Sequence, residues 1–293
     1  MKKGFFFNIS FHQKILLFLL LFFLSSFIML YINSIFLDKN NIYIYNSISN
    51  IRISILLNQI ITFLVPSILF VYYVRPFLKD SIKLKGLNFY NILLIFSAFI
   101  FIFLISRVLS EWNQQINPDL VSKKFGDALK EYQSTKDNFM NNTLGNTLDY
   151  YMFNIFLIAI LPAFCEEFFF RGVLQNLLVK LFNNIHIGIV SSALFFALIH
   201  IDFYNFLPIF FIGLIFGYLY VFTSNIFITI ILHFLYNFSS LSIYYLDKNE
   251  ILSSDYFDDI SLLGYILILI SFISMLFLLN KMKYTGRIVN RKS

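Results

Sequence analysis

Long apolar runs alternate with short polar stretches along most of the 293-residue chain. A helix that crosses a bilayer needs roughly 20 mostly apolar residues. The runs predict eight such helices, of which the fourth is long and the fifth short, at about 14–37, 53–75, 89–110, 149–181, 185–201, 206–223, 226–246 and 260–280. The pattern therefore predicts an all-α fold, a polytopic membrane helix bundle with about eight transmembrane helices.

The longest polar stretch, residues 111–148, has the mixed charge of a segment in contact with water. It predicts an extramembrane loop with room for a short amphipathic helix. The sequence has no internal repeat and no separate soluble region, so residues 1–293 are interpreted as a single membrane domain.

Composition agrees with a membrane protein. The chain is 59% hydrophobic and 13% charged, whereas soluble domains average about 45–50% apolar and about 25% charged residues. The lone cysteine, Cys165, excludes an intrachain disulfide. The net charge of +6 does not indicate nucleic acid, because the basic residues cluster beside the apolar runs, where they set membrane topology.

Lysine and arginine near the ends of membrane helices favour the cytoplasmic side. With eight spans, three basic segments fall on one side of the membrane: the N-terminus, the connection between the second and third spans, and the C-terminal tail. Their basic residues are, in that order, Lys2 and Lys3; Arg75, Lys79, Lys83 and Lys85; and Lys281, Lys283, Arg287, Arg291 and Lys292. The last loop on the other side is acidic. Both termini are therefore predicted to be cytoplasmic, in an integral protein of a bacterial inner membrane. Lys2 and Lys3 before an apolar run also resemble a signal peptide, but no A-x-A cleavage site follows, so the first run predicts a retained helix.

Three charged residues, Glu166, Glu167 and Arg171, interrupt the fourth apolar run. Each would destabilise a lipid-facing helix by roughly 2.5–3.5 kcal/mol, so they are expected to face the protein interior or a wet cavity. Glu167 and Arg171 are four residues apart with the acid first, which is the favourable order for an ion pair. Glu166 lies about 100° around the helix from Glu167 and is the carboxylate available for chemistry. The alternative is a purely structural role, in which all three charges only hold helices together.

Four histidines occur in the chain. His12 and His186 fall at the starts of spans and are interpreted as interfacial. His200 ends the motif FALIH, in which the Phe196 ring can pack on the imidazole one turn away. His233 begins HFLYN and shares a helix face with Asn237, four residues later.

These groups suit peptide hydrolysis, since Glu or His can act as a general base and His or Asn can stabilise an oxyanion. Two histidines and a carboxylate are also a zinc ligand set, which would use Glu166, His200 and His233. The same groups could instead relay protons in a proton-coupled transporter.

Three motifs in order resemble those of a known family: EEFFFR (166–171) as EExxxR, FALIH (196–200) as FxxxH and HFLYN (233–237) as HxxxN. The chain is similar over roughly residues 150–240 to the CPBP intramembrane proteases, the CAAX-protease and bacteriocin-processing group related to type II CAAX prenyl endopeptidases. That region would be the motif-bearing catalytic core.

The resemblance implies roles for these residues. Glu166 would activate water with the assistance of His200, while His233 and Asn237 would stabilise the oxyanion, and Glu167 and Arg171 would support them. The family is described both as metalloproteases and as metal-free glutamate proteases. We favour the second, with no cofactor, because the sequence has no compact local ligand motif such as HExxH; zinc is the alternative.

The expected substrate is a peptide or protein in or at the membrane, such as a leader-bearing peptide. The expected partners are this substrate and the lipid bilayer, with no nucleic acid. A non-proteolytic, immunity-type membrane protein is a further alternative. Nearby residues have simpler interpretations: Cys165 as a buried apolar group, Pro162 as a bend beside Glu166 or a break between two helices, and Gly213 with Gly217 as a close-packing GxxxG motif.

Overall fold

The computed structural model describes residues 9–38, 41–45, 48–74, 87–120, 122–145, 147–252 and 261–290. In chain order the helices are α1 (Phe11–Phe36), α2 (Ile48–Tyr73), α3 (Phe89–Gln114), α4 (Lys123–Leu144), α5 (Leu148–Phe182), α6 (Ile185–Ile199), α7 (Phe206–Thr223), α8 (Ile226–Lys248) and α9 (Leu262–Asn290). A short antiparallel hairpin, Leu37–Asp38 (β1) with Asn41–Tyr45 (β2), follows α1.

Seven of these helices are long and apolar enough to cross a membrane, namely α1, α2, α3, α5, α7, α8 and α9. The predicted all-α membrane fold is confirmed. The fifth predicted span is the one that differs, because α6 is apolar but only 15 residues long, against roughly 20 for a full crossing. It ends there because Ile201 takes a left-handed conformation, with φ of 48°, which an α-helix of L-residues does not continue through.

The chain forms two compact units, and the first comprises residues 1–82 and 117–188. Its three apolar helices meet around the Phe169 ring of α5. Phe18 and Phe22 of α1 and Phe63 of α2 lie 4.9, 5.2 and 5.5 Å from that ring between centroids. Phe169 is 1% exposed, so this aromatic cluster forms the centre of the first unit.

Two helices of the first unit contain wider, π-helical turns. They lie at Gln59–Leu64 in α2, and at Ile155–Ile160 and Phe168–Leu174 in α5. Pro66 and Pro162 each stand in the first turn of the α-helical segment that follows such a turn. A proline ring collides with the carbonyl four residues earlier in a regular α-helix, and a wider turn relieves that collision. The helix therefore runs on through Pro162, and the expectation of a possible break between two helices there is wrong.

The polar stretch before α5 contains a longer helix than the short one expected. Helix α4 has 22 residues and begins at the N-cap Ser122, whose hydroxyl accepts a hydrogen bond from the Phe125 amide. It is followed by the C-cap residue Gly145, which has a φ of 58°. A Cβ atom at Gly145 would collide with the Tyr150 ring, and glycine adopts a positive φ without strain, so this position requires glycine.

The second unit comprises residues 83–116 and 189–293. Its core is apolar and is drawn from four helices: α3, α7, α8 and α9 contribute, among others, Leu94, Ile102, Phe216, Leu232 and Met275. A Cβ atom at Gly213 would lie 3.1 Å from the Ala193 Cβ. Gly213 therefore lets α7 approach α6 closely, and the close-packing interpretation of the GxxxG motif is confirmed for this glycine.

Most of the basic residues that predict the topology lie outside the described residues, in segments 1–8, 75–86 and 291–293, as does the acidic segment 253–260. The orientation of the termini therefore stays a prediction.

Candidate active site

A buried ion pair lies in the middle of α5. Arg171 Nη1 lies 2.7 Å from Glu167 Oε1, and the two side chains are 1% and 0% exposed. The pairing predicted from their spacing is confirmed. Removing one partner of a buried pair strands the other charge, which commonly destabilises a protein by about 3–5 kcal/mol. Glu167 and Arg171 therefore belong to the framework of the first unit.

Glu166 has a different environment from its neighbour. The residue is 5% exposed, and its Oε1 accepts a hydrogen bond of 3.0 Å from Nε2 of Gln59 on α2. Sequence reasoning missed Gln59. The available signal was a pair of amides, Asn58 and Gln59, within the apolar run ILLNQIITFLV, but nothing in the sequence says which distant residue either one contacts.

The helix around Glu166 is shaped by the wider turns of α5. Glu166 lies in the α-helical segment Leu161–Glu167, with π-helical turns on both sides. Within the second of these turns, the carbonyls of Arg171 and Gly172 accept hydrogen bonds from Asn176 Nδ2 at 2.7 and 3.1 Å. Turns of this kind are frequent at functional sites, and here their backbone is stabilised by a side chain of the same helix.

His200 stands at the end of α6, and its ring orientation is fixed locally. Its Nδ1 lies 2.6 Å from the carbonyl oxygen of Phe196, and the two rings are 4.6 Å apart between centroids. The predicted packing of Phe196 on His200 is confirmed. A carbonyl oxygen only accepts hydrogen bonds, so in the neutral imidazole Nδ1 carries the proton and Nε2 carries the lone pair.

The turn after His200 is strained and firmly anchored. Ile201 is a β-branched residue with a φ of 48°, a conformation that is a genuine outlier for this residue type. The buried Asn113 of α3 holds the following segment: its Nδ2 donates to the Phe203 carbonyl over 2.7 Å, and its Oδ1 accepts from the Leu207 amide over 2.8 Å. This anchoring fixes the end of α6 that carries His200.

His233 and Asn237 lie one turn apart on α8. His233 is 5% exposed, and its ring contacts the rings of Phe196 and Phe216 at centroid distances of 6.1 and 5.7 Å. Phe196 therefore packs against both imidazoles, because it also contacts His200. The second unit brings the two histidines to a single phenyl ring, and Asn237 is half-buried on the same helix as His233.

Other residues singled out in the sequence have simpler surroundings. Cys165 is fully buried beside Glu166 in the chain, in keeping with a small apolar group. His12 and His186 are exposed at the starts of α1 and α6. Among the described residues of either unit, no three His, Cys, Asp or Glu side chains form a group that could hold a metal ion.

Part of the chain matches a known family. Residues 148–239 match the family described as type II CAAX prenyl endopeptidase Rce1-like. This segment is similar to Rce1-like proteins. The matched segment runs from the start of α5 into α8 and includes all three motifs. The resemblance to the CAAX-protease and bacteriocin-processing group is thereby confirmed. Neither a curated protein nor a solved structure matches the chain. The Rce1-like match and the seven helices that are long and apolar enough to cross a membrane, among the described residues, together indicate an integral membrane protein.

Proposed function

We propose that this protein is an intramembrane endopeptidase in which Glu166 and His200 activate water, while His233 and Asn237 stabilise the oxyanion. The observation that carries the proposal is the Rce1-like match over the segment that contains all four residues. It supports the general class, a CAAX-type intramembrane endopeptidase. The assignment of roles rests on the motifs and on the surroundings of each side chain.

The environment of Glu166 suits a general base. Its burial in a membrane helix keeps the carboxylate out of bulk water, and Gln59 orients one of its oxygens. In the proposed reaction Glu166 takes a proton from water while the water oxygen forms a bond to the scissile carbonyl carbon. The carboxyl group then gives this proton to the amide nitrogen as the C–N bond breaks, which leaves a carboxylic acid and an amine.

His200 would assist through Nε2, the ring nitrogen that can act as a hydrogen-bond acceptor when Nδ1 carries the proton. With Nδ1–H bonded to the Phe196 carbonyl, Nε2 of the neutral ring can accept a hydrogen bond from the attacking water. His233 and Asn237 would donate hydrogen bonds to the developing oxyanion, where fixed donors commonly contribute about 2.7–4 kcal/mol each. Glu167 and Arg171 would support the site through their buried ion pair.

Zinc is the alternative to this metal-free mechanism. Imidazole and carboxylate are suitable donors for it, and Glu166, His200 and His233 would be its ligands. Bound zinc would lower the pKa of a coordinated water. We favour the metal-free version, because a glutamate and a histidine suffice as bases.

The proposed substrate is a peptide or protein in or at the membrane, with a leader-bearing peptide as the favoured case. The proposed location is a bacterial inner membrane, with both termini in the cytoplasm.

A cleavage assay with the purified protein and a peptide library tests the proposal. Cleavage should fall at least a hundredfold in Glu166→Gln and His200→Ala, as expected for loss of a general base. Parallel reactions with a chelator separate the metal-free from the zinc mechanism. Proton-linked flux in liposomes, without cleavage, would instead identify a transporter, and a phenotype retained in both variants would identify a non-proteolytic protein.

A further inference from the structure

The side-chain amide of Gln59 uses one of its two ends within the protein. Its Nε2 donates to Glu166 Oε1 over 3.0 Å. Its Oε1 is buried and accepts no hydrogen bond from any residue that the structure describes. The neighbouring amide on α2 differs, because Asn58 Oδ1 accepts a hydrogen bond of 3.0 Å from Thr62. Roughly 90% or more of buried polar groups have a partner, so the exposed question at Gln59 is which donor its oxygen serves.

The position of this amide is fixed by packing one turn away. Gln59 begins the π-helical turn Gln59–Leu64 of α2, a kind of turn that is frequent at functional sites. Phe63, four residues later, lies 5.5 and 6.3 Å from the rings of Phe169 and Phe170 on α5 between centroids. The aromatic contact holds this part of α2 against α5, so the Gln59 oxygen has a defined place beside the EExxxR motif.

The chemistry of the proposed reaction indicates the donor. A carbonyl oxygen only accepts hydrogen bonds, so the partner must supply an N–H or O–H group. The attacking water has two hydrogens, and the proposed mechanism directs one to Glu166 and the other to Nε2 of His200. The donor that remains at the reacting centre is the N–H of the scissile amide. A substrate that reaches Glu166 also comes within reach of Gln59, because the two side chains are hydrogen-bonded to each other.

We infer that Gln59 Oε1 accepts a hydrogen bond from the N–H of the scissile peptide bond. The inference rests on the proposed function and deepens it, because it assigns substrate contact to a residue outside the three motifs. It also restricts the substrate: the residue that follows the cleaved bond must carry a backbone N–H, which excludes proline.

This contact would align the nitrogen for proton transfer. When water adds to the carbonyl carbon, the amide nitrogen becomes pyramidal and its lone pair becomes available. With the N–H held on Gln59 Oε1, that lone pair can face the Glu166 carboxyl, which lies beside the same carboxamide. The carboxyl gives the nitrogen the proton it took from water, the C–N bond breaks, and the amine leaves while Glu166 returns to a carboxylate.

A comparison of two substrates tests the inference. One is the peptide identified by the library, and the other is the same peptide with a methyl group on the nitrogen of the scissile bond. Both need a proton from Glu166, but only the first has the N–H. Single-turnover cleavage rates are measured for the unmodified protein, for Gln59→Leu and for Gln59→Met, which is closer to glutamine in length. Thr62→Val, in the same turn of α2, is the control, and size-exclusion profiles establish that each variant remains folded.

Methylation should slow the unmodified protein and Thr62→Val at least about fivefold more than it slows the two Gln59 variants, which have no acceptor to lose. A change in the orientation of Glu166 alone would affect both substrates and leave this ratio the same. Equal slowing in all four proteins would overturn the inference and leave the proposed function intact, and it is the result expected if Oε1 binds only a structural water. No cleavage of any library peptide by the unmodified protein would refute the proposed function and this inference with it.

Discussion

Gln59 Nε2 donates a hydrogen bond of 3.0 Å to Glu166 Oε1, joining the π-helical turn of α2 to the α-helical segment of α5 that carries the EExxxR motif. The bond connects two residues 107 positions apart. It gives one oxygen of a buried carboxylate a fixed direction, so Gln59 is a positioning residue for the proposed general base.

Replacing Gln59 by leucine should lower kcat about ten- to a hundredfold with little change in KM, since a hydrogen bond to a charged group contributes about 1.5–3 kcal/mol. Steady-state kinetics on the peptide identified by the library would measure both constants. Thr62→Val is the matched control, because Thr62 lies in the same turn but donates to Asn58. An unchanged kcat in Gln59→Leu would refute the positioning role.

The buried Glu167–Arg171 pair predicts that substitutions of the two residues have strongly non-additive effects on the free energy of unfolding. Arg171→Met should lower the free energy of unfolding by about 3–5 kcal/mol, because it leaves Glu167 buried without its partner charge. The double variant Glu167→Met with Arg171→Met should recover most of that loss. Unfolding of the four proteins in detergent gives the double-mutant cycle, and additive losses would contradict a buried ion pair.

The strained residue after His200 predicts a substitution that raises the stability of the protein. Ile201→Gly should stabilise the protein by about 1 kcal/mol, because glycine adopts a positive φ without the strain that Ile201 bears, and the Ile201 side chain is largely exposed. Ile199→Gly, in the last turn of α6, should instead destabilise it by about 1 kcal/mol. Thermal unfolding midpoints would compare the two, and a loss of stability in Ile201→Gly would show that the left-handed turn carries no strain.

Close packing of α6 on α7 predicts that substitutions at Gly213 and Ala193 have coupled effects on stability. Gly213→Val should destabilise the protein by about 1–3 kcal/mol through overpacking, because a Cβ atom at Gly213 already lies 3.1 Å from the Ala193 Cβ. Gly213→Ala should lose less, and Ala193→Gly should destabilise the Gly213→Ala variant less than it destabilises the unmodified protein, because it removes the methyl group nearest the new Cβ atom while the cost of a helical glycine is the same in both. Unfolding midpoints of the single and double variants test this, and an equal loss in both backgrounds would place the clash elsewhere.

The proposed meeting of Glu166 with both histidines can be tested without any substrate. In a Cys165→Ala background, Glu166→Cys provides the chain with a single thiol. Zinc binds cysteine and histidine together, so micromolar zinc should protect this thiol from alkylation, and His200→Ala or His233→Ala should abolish the protection. Protection that survives both histidine substitutions would refute the proposed site.

Local features of the fold and site could be predicted from the sequence. The apolar runs predict the helices because each must bury its backbone groups within itself. The pairings of Glu167 with Arg171 and of Phe196 with His200 follow from a four-residue spacing on one helix. Such contacts depend on helix geometry alone, which explains why their prediction was correct.

Features that depend on distant residues could not be predicted. Gln59 is an ordinary amide until α2 packs beside α5, and Asn113 anchors a turn about 90 residues away. The wider turns beside Pro66 and Pro162 arise from local backbone strain, and a hydropathy pattern does not record them. The shortness of α6 depends on one left-handed residue, Ile201, which has a side chain that ordinarily disfavours this conformation.

Helix α5 has 35 residues and would be roughly 50 Å long at a rise of 1.5 Å per residue, well beyond a hydrocarbon core of about 30 Å. A helix with such an excess must lean or project into the headgroups, and its inclination responds to lipid thickness. Glu166 lies near the midpoint of α5, so acyl-chain length becomes a physical variable that acts on the depth of the proposed base. Membranes of different lipid composition would thus tune this protein through hydrophobic mismatch.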